Sequence, residues 1–151
     1  MFPEQLYRHG VYRTTKMWRY RRERYRLVGS RCRNCGQLWW PRRAAGVCGK
    51  CNSRDIEDFE FSHEGEVLGC FVEAKRHPSI PPMQGYEVYG NTRIYAMVKL
   101  KEGVYVGPTE IVDCDPEKVK DGMKVKMVTR KLRRESNGNW MYGYMWVPAM
   151  Q

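Results

Sequence analysis

Histidine is scarce in this chain of 151 residues: only His9, His63 and His77, each standing alone. Isolated imidazoles predict surface residues, so a histidine-based metal centre or a His-assisted nucleophile has little to draw on. No phosphate loop, hydrolase elbow or dinucleotide fingerprint occurs, and none of the chemistry those motifs support is expected from the chain alone. Long apolar runs are missing too. Only 42% of residues are hydrophobic, and nothing approaches the roughly 20 apolar residues of a membrane span. The start, MFPEQLYRHG, lacks the apolar stretch of a secretory signal. A soluble, cytoplasmic protein without a membrane partner is expected. Repeats and low-complexity segments are absent as well.

Cysteine, in contrast, is present and patterned. Cys32 and Cys35, then 12 residues, then Cys48 and Cys51 form two Cys-x-x-Cys pairs, while Cys70 and Cys114 stand apart in apolar contexts as small packing residues. Two tight turns carrying two thiolates each can converge on one tetrahedral ion, and four protein ligands leave no position for a substrate water. Structural zinc is therefore expected, with iron the alternative that a four-thiolate site also admits. Disulfides fit less well, because this spacing without a secretory signal is a metal pattern first. Gly36 and Gly49 suit the knuckle turns that aim backbone amides at sulfur.

Around this ribbon, residues 14–28 predict a helix, with Thr14 or Thr15 as its cap and Gly29 as its stop. Arg19, Arg22 and Arg26 share one face, and Met17, Trp18 and Tyr25 form an apolar one that either packs at home or docks a partner. Beyond the ribbon, alternating segments predict strands near 64–76, 93–101, 104–113, 123–133 and 139–147, with one helical turn within 115–122. The expected architecture is mainly β: an N-terminal extension and basic helix (1–29), a rubredoxin-like zinc ribbon (30–55) and a five-stranded OB-fold barrel (56–151). The connection 77–91 is unusually long and apolar, with three prolines and Met83, Tyr86 and Tyr89. Such loops are commonly functional, although it could equally fold over its own barrel.

Charge is unevenly spread. The net is +10, but residues 1–55 hold 14 Lys and Arg against 3 Asp and Glu, a net +11, whereas residues 56–151 hold 13 against 14, a net −1. An oligonucleotide groove on the barrel would need cations there, so nucleic acid is not favoured. A compact polyanion meeting only the front segment, such as coenzyme A, fits the charge map better.

The order of a basic helix WRYRRERYRLVGSRC, a ribbon CRNCGQLWWPRR closing with CGKC, and a barrel ending RRESNGNWMYGYMWVP resembles the acyl-CoA-associated zinc-ribbon/OB-fold proteins, over about residues 14–148. Members of that family partner thiolase-superfamily enzymes, as in the acetoacetyl-CoA thiolase/hydroxymethylglutaryl-CoA synthase, acetylphloroglucinol acetyltransferase and benzoylsuccinyl-CoA thiolase complexes. The resemblance implies a non-catalytic subunit of a hetero-oligomeric acyl-CoA C-acyltransferase, whose partner supplies the catalytic Cys and His. It places the metal on Cys32, Cys35, Cys48 and Cys51, and its Pro-Arg segment on Pro41, Arg42 and Arg43. Arg42 and Arg43 become candidates for coenzyme A phosphates, and Trp18, Tyr25, Trp39, Trp40, Met83 and Tyr86 candidates for the partner interface. Gly49 departs from the proline that relatives often carry in the second knuckle, and the segment 1–13 is longer than in some of them. A nucleic-acid module, or a scaffold that never touches substrate, stands as the alternative.

Overall fold

A computed structural model describes residues 18–73, 93–134 and 140–149. The expected caps Thr14 and Thr15, Met17 and the connection 77–91 lie outside the described residues. Among those described, no helix is long and apolar enough to cross a membrane.

The helix α1 spans Arg21–Arg26 and ends at Leu27, which adopts the left-handed conformation (φ 46°) and donates its N–H to the Arg22 carbonyl. Gly29 is thus not the stop that composition predicts. It lies inside β1 (Val28–Cys32), where its lack of a side chain serves close packing. A Cβ there would fall 2.4 Å from the Trp39 carbonyl oxygen and 2.5 Å from the Phe61 ring. The buried face of α1 is also unexpected: Glu23 and the capping Leu27 turn inward, while Tyr25 on the helix and Trp18 (67% exposed) and Tyr20 just before it face solvent.

β1 is the centre of a three-stranded sheet, flanked by β2 (Leu38–Trp39) and β3 (Ile56–Glu60), both antiparallel to it. β3, grouped with the barrel on sequence grounds, belongs to the ribbon. Its register sets Cys32 opposite Ile56 and Val28 opposite Glu60, which carries its carboxylates to the arginines of the front segment.

Five further strands close into a barrel: β4 (Glu64–Glu73), β5 (Arg93–Leu100), β6 (Tyr105–Ile111), β7 (Lys124–Arg134) and β8 (Trp140–Pro148), in the order β4-β5-β6-β8-β7. Only β6 and β8 pair in parallel, at Ile111 and Trp146. This is the OB arrangement, with strands one and four of the barrel closing it through Glu64–Lys126 and Gly65–Val125. The single turn expected within 115–122 is a 3-10 helix at Pro116–Lys118, capped by the Asp115 carboxylate. Inside, Val67, Val98, Val106, Val125 and Trp146 are at most 1% exposed, as strict alternation across a pleat requires.

Ribbon and barrel share one hydrophobic cluster, since Leu27 and Phe61 join the barrel interior. The Phe61 N–H donates to the Leu27 carbonyl at 3.2 Å, and Trp40 sits edge-on to both Phe61 (6.2 Å) and Tyr144 (5.9 Å). Substituting Gly29→Ala is expected to lower stability by about 1–3 kcal/mol through overpacking of this seam. An unchanged unfolding midpoint would show that the seam is loose.

Candidate metal centre and the ribbon loop

Cys32 ends β1, and the chain turns back at once: the Gly36 N–H donates to the Cys32 carbonyl (2.9 Å), with Gly36 at φ 70°. The second knuckle repeats the first. The Asn52 N–H donates to the Cys48 carbonyl (3.0 Å), with Asn52 at φ 57°. The left-handed position of the second turn therefore falls on Asn52, the non-glycine residue best suited to it together with Asp. Gly49 instead makes room for Trp39, whose Cη2 would lie 3.1 Å from a Cβ there. Lys50 N–H points at the Cys48 sulfur (3.4 Å), an oriented amide of the kind that supports a thiolate.

The four sulfurs lie within 4.8 Å of one another, with Cys32–Cys51 and Cys35–Cys48 each at 3.6 Å. Zinc–sulfur bonds of about 2.3 Å in a tetrahedron imply sulfurs about 3.8 Å apart. The donor set therefore fits a structural zinc ion. Backbone amides of Cys51 and Lys50 hold the Cys48 thiol down at about 6, and the Ser53 amide lowers Cys51. At Cys35 the Gln37 amide also acts downward, but burial and the other three sulfurs push the thiol up to about 12. Four neighbouring thiolates repel one another, and a divalent cation removes that conflict.

The loop between the knuckles distributes its side chains by period two. Leu38 and Trp40 pack on the shared core, whereas Trp39 points the other way, with the Arg43 guanidinium 4.8 Å from its ring centroid. The Arg43 backbone N–H donates to the buried Ser30 hydroxyl (3.0 Å), and its side-chain Nε to the Val47 carbonyl (3.4 Å). Trp40 is thus committed to the intramolecular seam. Alternation through Leu38-Trp39-Trp40 is the sequence signal that separates it from Trp39. Met83 and Tyr86 lie outside the described residues. Trp18, just before α1, and Tyr25 on it are exposed, with Arg21 stacked 4.3 Å over Trp18.

Five of the front arginines are ion-paired. Asp58 pairs with both Arg22 (2.5 Å) and Arg42 (3.2 Å), Glu60 with Arg26 (2.6 Å), and Glu57 with Arg31 and Arg33. Strand β3 thereby sets three carboxylates against the net +11 of residues 1–55. Arg33 first, then Arg31, hydrogen-bond the Glu57 carboxylate and hold it below the usual carboxylate range. Of the two arginines singled out for phosphate, Arg42 shares Asp58 and Arg43 is stacked on Trp39.

Fold and site together define a class: a closed four-cysteine zinc ribbon carried on an OB barrel. Residues 21–57 match the family model described as ChsH2, rubredoxin-like zinc ribbon domain. The chain is 38% identical over 138 residues to a DUF35 domain-containing scaffold protein of Pyrococcus furiosus, covering 91% of this chain and 93% of the relative. It is 34% identical to a protein of the same description from Methanothermobacter thermautotrophicus, covering 89% and 96%. A chain of the Ltp2-ChsH2(DUF35) aldolase superposes with a TM-score of 0.63 at 27% identity, over 83% of this chain and 86% of that one. The protein belongs to the DUF35 family.

Substituting Cys35→Ser is expected to abolish stoichiometric metal and melt the ribbon, because structural zinc supplies on the order of 10 kcal/mol to such small units. Elemental analysis with thermal denaturation tests this, and iron instead of zinc in the wild type would correct the metal. Glu57→Gln addresses the ion pairs. A depressed carboxyl stabilises the fold above its unfolded pKa and loses that effect as pH falls through its folded pKa. The variant is therefore expected to be less stable than wild type at pH 7, with the gap closing below about pH 4.3. A gap independent of pH would refute the pairing.

Proposed function

We propose that this chain is the non-catalytic zinc-ribbon/OB-fold subunit of a thiolase-type acyl-CoA C-acyltransferase complex, needed for assembly and for shaping the acyl-CoA or acceptor site. The observation that carries this reading is the likeness, over four-fifths of the chain, to a chain of the Ltp2-ChsH2(DUF35) aldolase. The scaffold description of the curated relatives supports a role in assembly. The ribbon chemistry agrees: four cysteines on one ion leave no open coordination position for a substrate. Acyl transfer would then pass through a thioester on the partner's cysteine, as nucleophilic catalysis requires, in a hetero-oligomer.

Under this reading the exposed aromatics Trp18, just before α1, and Tyr25 on it anchor the partner, and Trp39, Met83 and Tyr86 remain candidates beside them. Arg42 and Arg43 are the proposed contacts to coenzyme A phosphates. Arg42 keeps 47% of its side chain exposed while paired with Asp58, so a phosphate can share it, as guanidinium groups present several donors.

The test is expression of this chain with and without a thiolase-fold enzyme of the same genome, followed by co-purification and acyl-CoA turnover. Co-purification and a turnover that needs both chains are expected. A partner that turns over equally well alone would leave only a scaffold that does not touch substrate, and binding of oligonucleotide with steep salt dependence would favour the nucleic-acid class. In the assembled complex, Arg42→Ala with Arg43→Ala is expected to raise KM for acyl-CoA about tenfold, as for lost charge-assisted hydrogen bonds. Unchanged kinetics in a zinc-loaded variant would remove both residues.

A further inference from the structure

The outer face of β4 and β5 carries a cluster of exposed apolar side chains. A bulge between Val67 and Gly69 interrupts the pairing of the two strands, and Leu68, the extra residue, is 44% exposed. Bulges re-aim side chains in this way. Phe71 is 58% exposed and stacks on Tyr95, its cross-strand neighbour, with ring centroids 5.2 Å apart. Met97 (39% exposed) pairs with Gly69. Among the described residues, chain neighbours aside, no atom lies within 4 Å of where a Gly69 Cβ would stand, so this position is open space. Single exposed apolar residues are ordinary, but a contiguous set marks an interaction site.

Farther along the same two strands the surface becomes basic. A groove of about 1080 Å³ runs over the ends of β5, β4 and β7. Its two carboxylates are already engaged, Glu64 by Lys101 and Glu66 by Lys124. Lys99 and Lys126, also lining it, have no ion-pair partner at salt-bridge distance among the described residues.

We infer that the outer face of β4 and β5 is a protein-docking surface that takes apolar side chains of the partner onto Leu68, Phe71 and Met97, around the open Gly69 position, and carboxylates of the partner onto Lys99 and Lys126. The inference rests on the reading of the chain as a subunit and names the surface by which it assembles. Charge complementarity chooses the occupant. Nucleic acid suits the face less well, because Phe71 and Tyr95 stack on each other rather than standing apart for bases, and Glu64 and Glu66 interrupt the lysine track that a phosphate backbone would follow.

The test uses Gly69→Glu in the full zinc-loaded chain. Gly69 lies outside the left-handed region and has open space at its Cβ, so the variant is expected to keep its zinc and its unfolding midpoint while placing a charge in the apolar patch. Affinity for the co-expressed thiolase-fold enzyme, read by titration calorimetry, is expected to fall at least about tenfold. Hydrogen exchange of the wild-type complex is expected to show protection across β4 and β5. Lys99→Glu with Lys126→Glu is expected to slow association about tenfold at low salt, with the difference shrinking as salt rises.

Equal affinity for Gly69→Glu, or an unprotected β4–β5 face in a complex that does form, overturns this inference and leaves the subunit reading intact. If wild type forms no complex at all, the subunit reading fails and takes the inference with it. Self-association by light scattering that Gly69→Glu abolishes would assign the face to a second copy, and a Gly69→Glu-sensitive affinity for a single-stranded oligothymidylate would assign it to nucleic acid. Either result overturns the inference.

Discussion

Convergence of four cysteine sulfurs on one point is the constraint from which the rest follows. The ribbon strands are short, β2 having two residues and β1 and β3 five each, and a sheet of that size is marginal in water. Two knuckles tied to one ion fix the end of β1 against the loop that holds Trp40, and through Trp40 the position of the whole ribbon on the barrel. The metal is thus linked to the barrel through a chain of contacts: Cys32 in β1, Gly29 beneath Phe61, Phe61 against Trp40, Trp40 against Tyr144. Each link is a close contact in a shared core, where packing transmits displacement instead of absorbing it.

Folding also redistributes the charge that composition lays out so unevenly. A split of +11 against −1 at residue 55 suggests an exposed basic front, yet the three acids of β3 begin two residues later and fold back across β1. Exposed ion pairs of this kind contribute little one by one. Their significance lies in what they engage: Arg22, Arg26, Arg33 and Arg42 are already shared with Glu57, Asp58 and Glu60. Any phosphate at Arg42 must share the guanidinium with Asp58 or displace that carboxylate, which makes binding there dependent on what the partner adds.

Some of this was legible in the residues and some was not, for identifiable reasons. The knuckles and all five barrel strands could be read because their signals are local: ligand spacing, period-two alternation and turn residues. The end of α1 could not, since Leu27 enters the left-handed region without any residue type that favours it, and Gly29 two positions later offered a false stop. The ion pairs join residues 16 to 36 positions apart, beyond any window in which composition carries pairing information. The different fates of Trp39 and Trp40 were legible in principle. They required knowing that Leu38 begins a strand of only two residues, short enough to miss.

The barrel itself explains why such a chain can serve assembly. The barrel is closed, although β6 and β8 meet only at Ile111 and Trp146, and recognition can come from side chains on its outer surface. On β4 and β5 the inner positions are filled by the core residues Val67, Ala96 and Val98. The outer positions are free of that constraint, yet Leu68, Phe71 and Met97 there are apolar and exposed. A barrel that only had to fold would gain solubility from polar residues at those sites. Their apolar character is accounted for if the face is buried in the working assembly, where removal of apolar area from water supplies binding free energy and the flanking lysines set orientation.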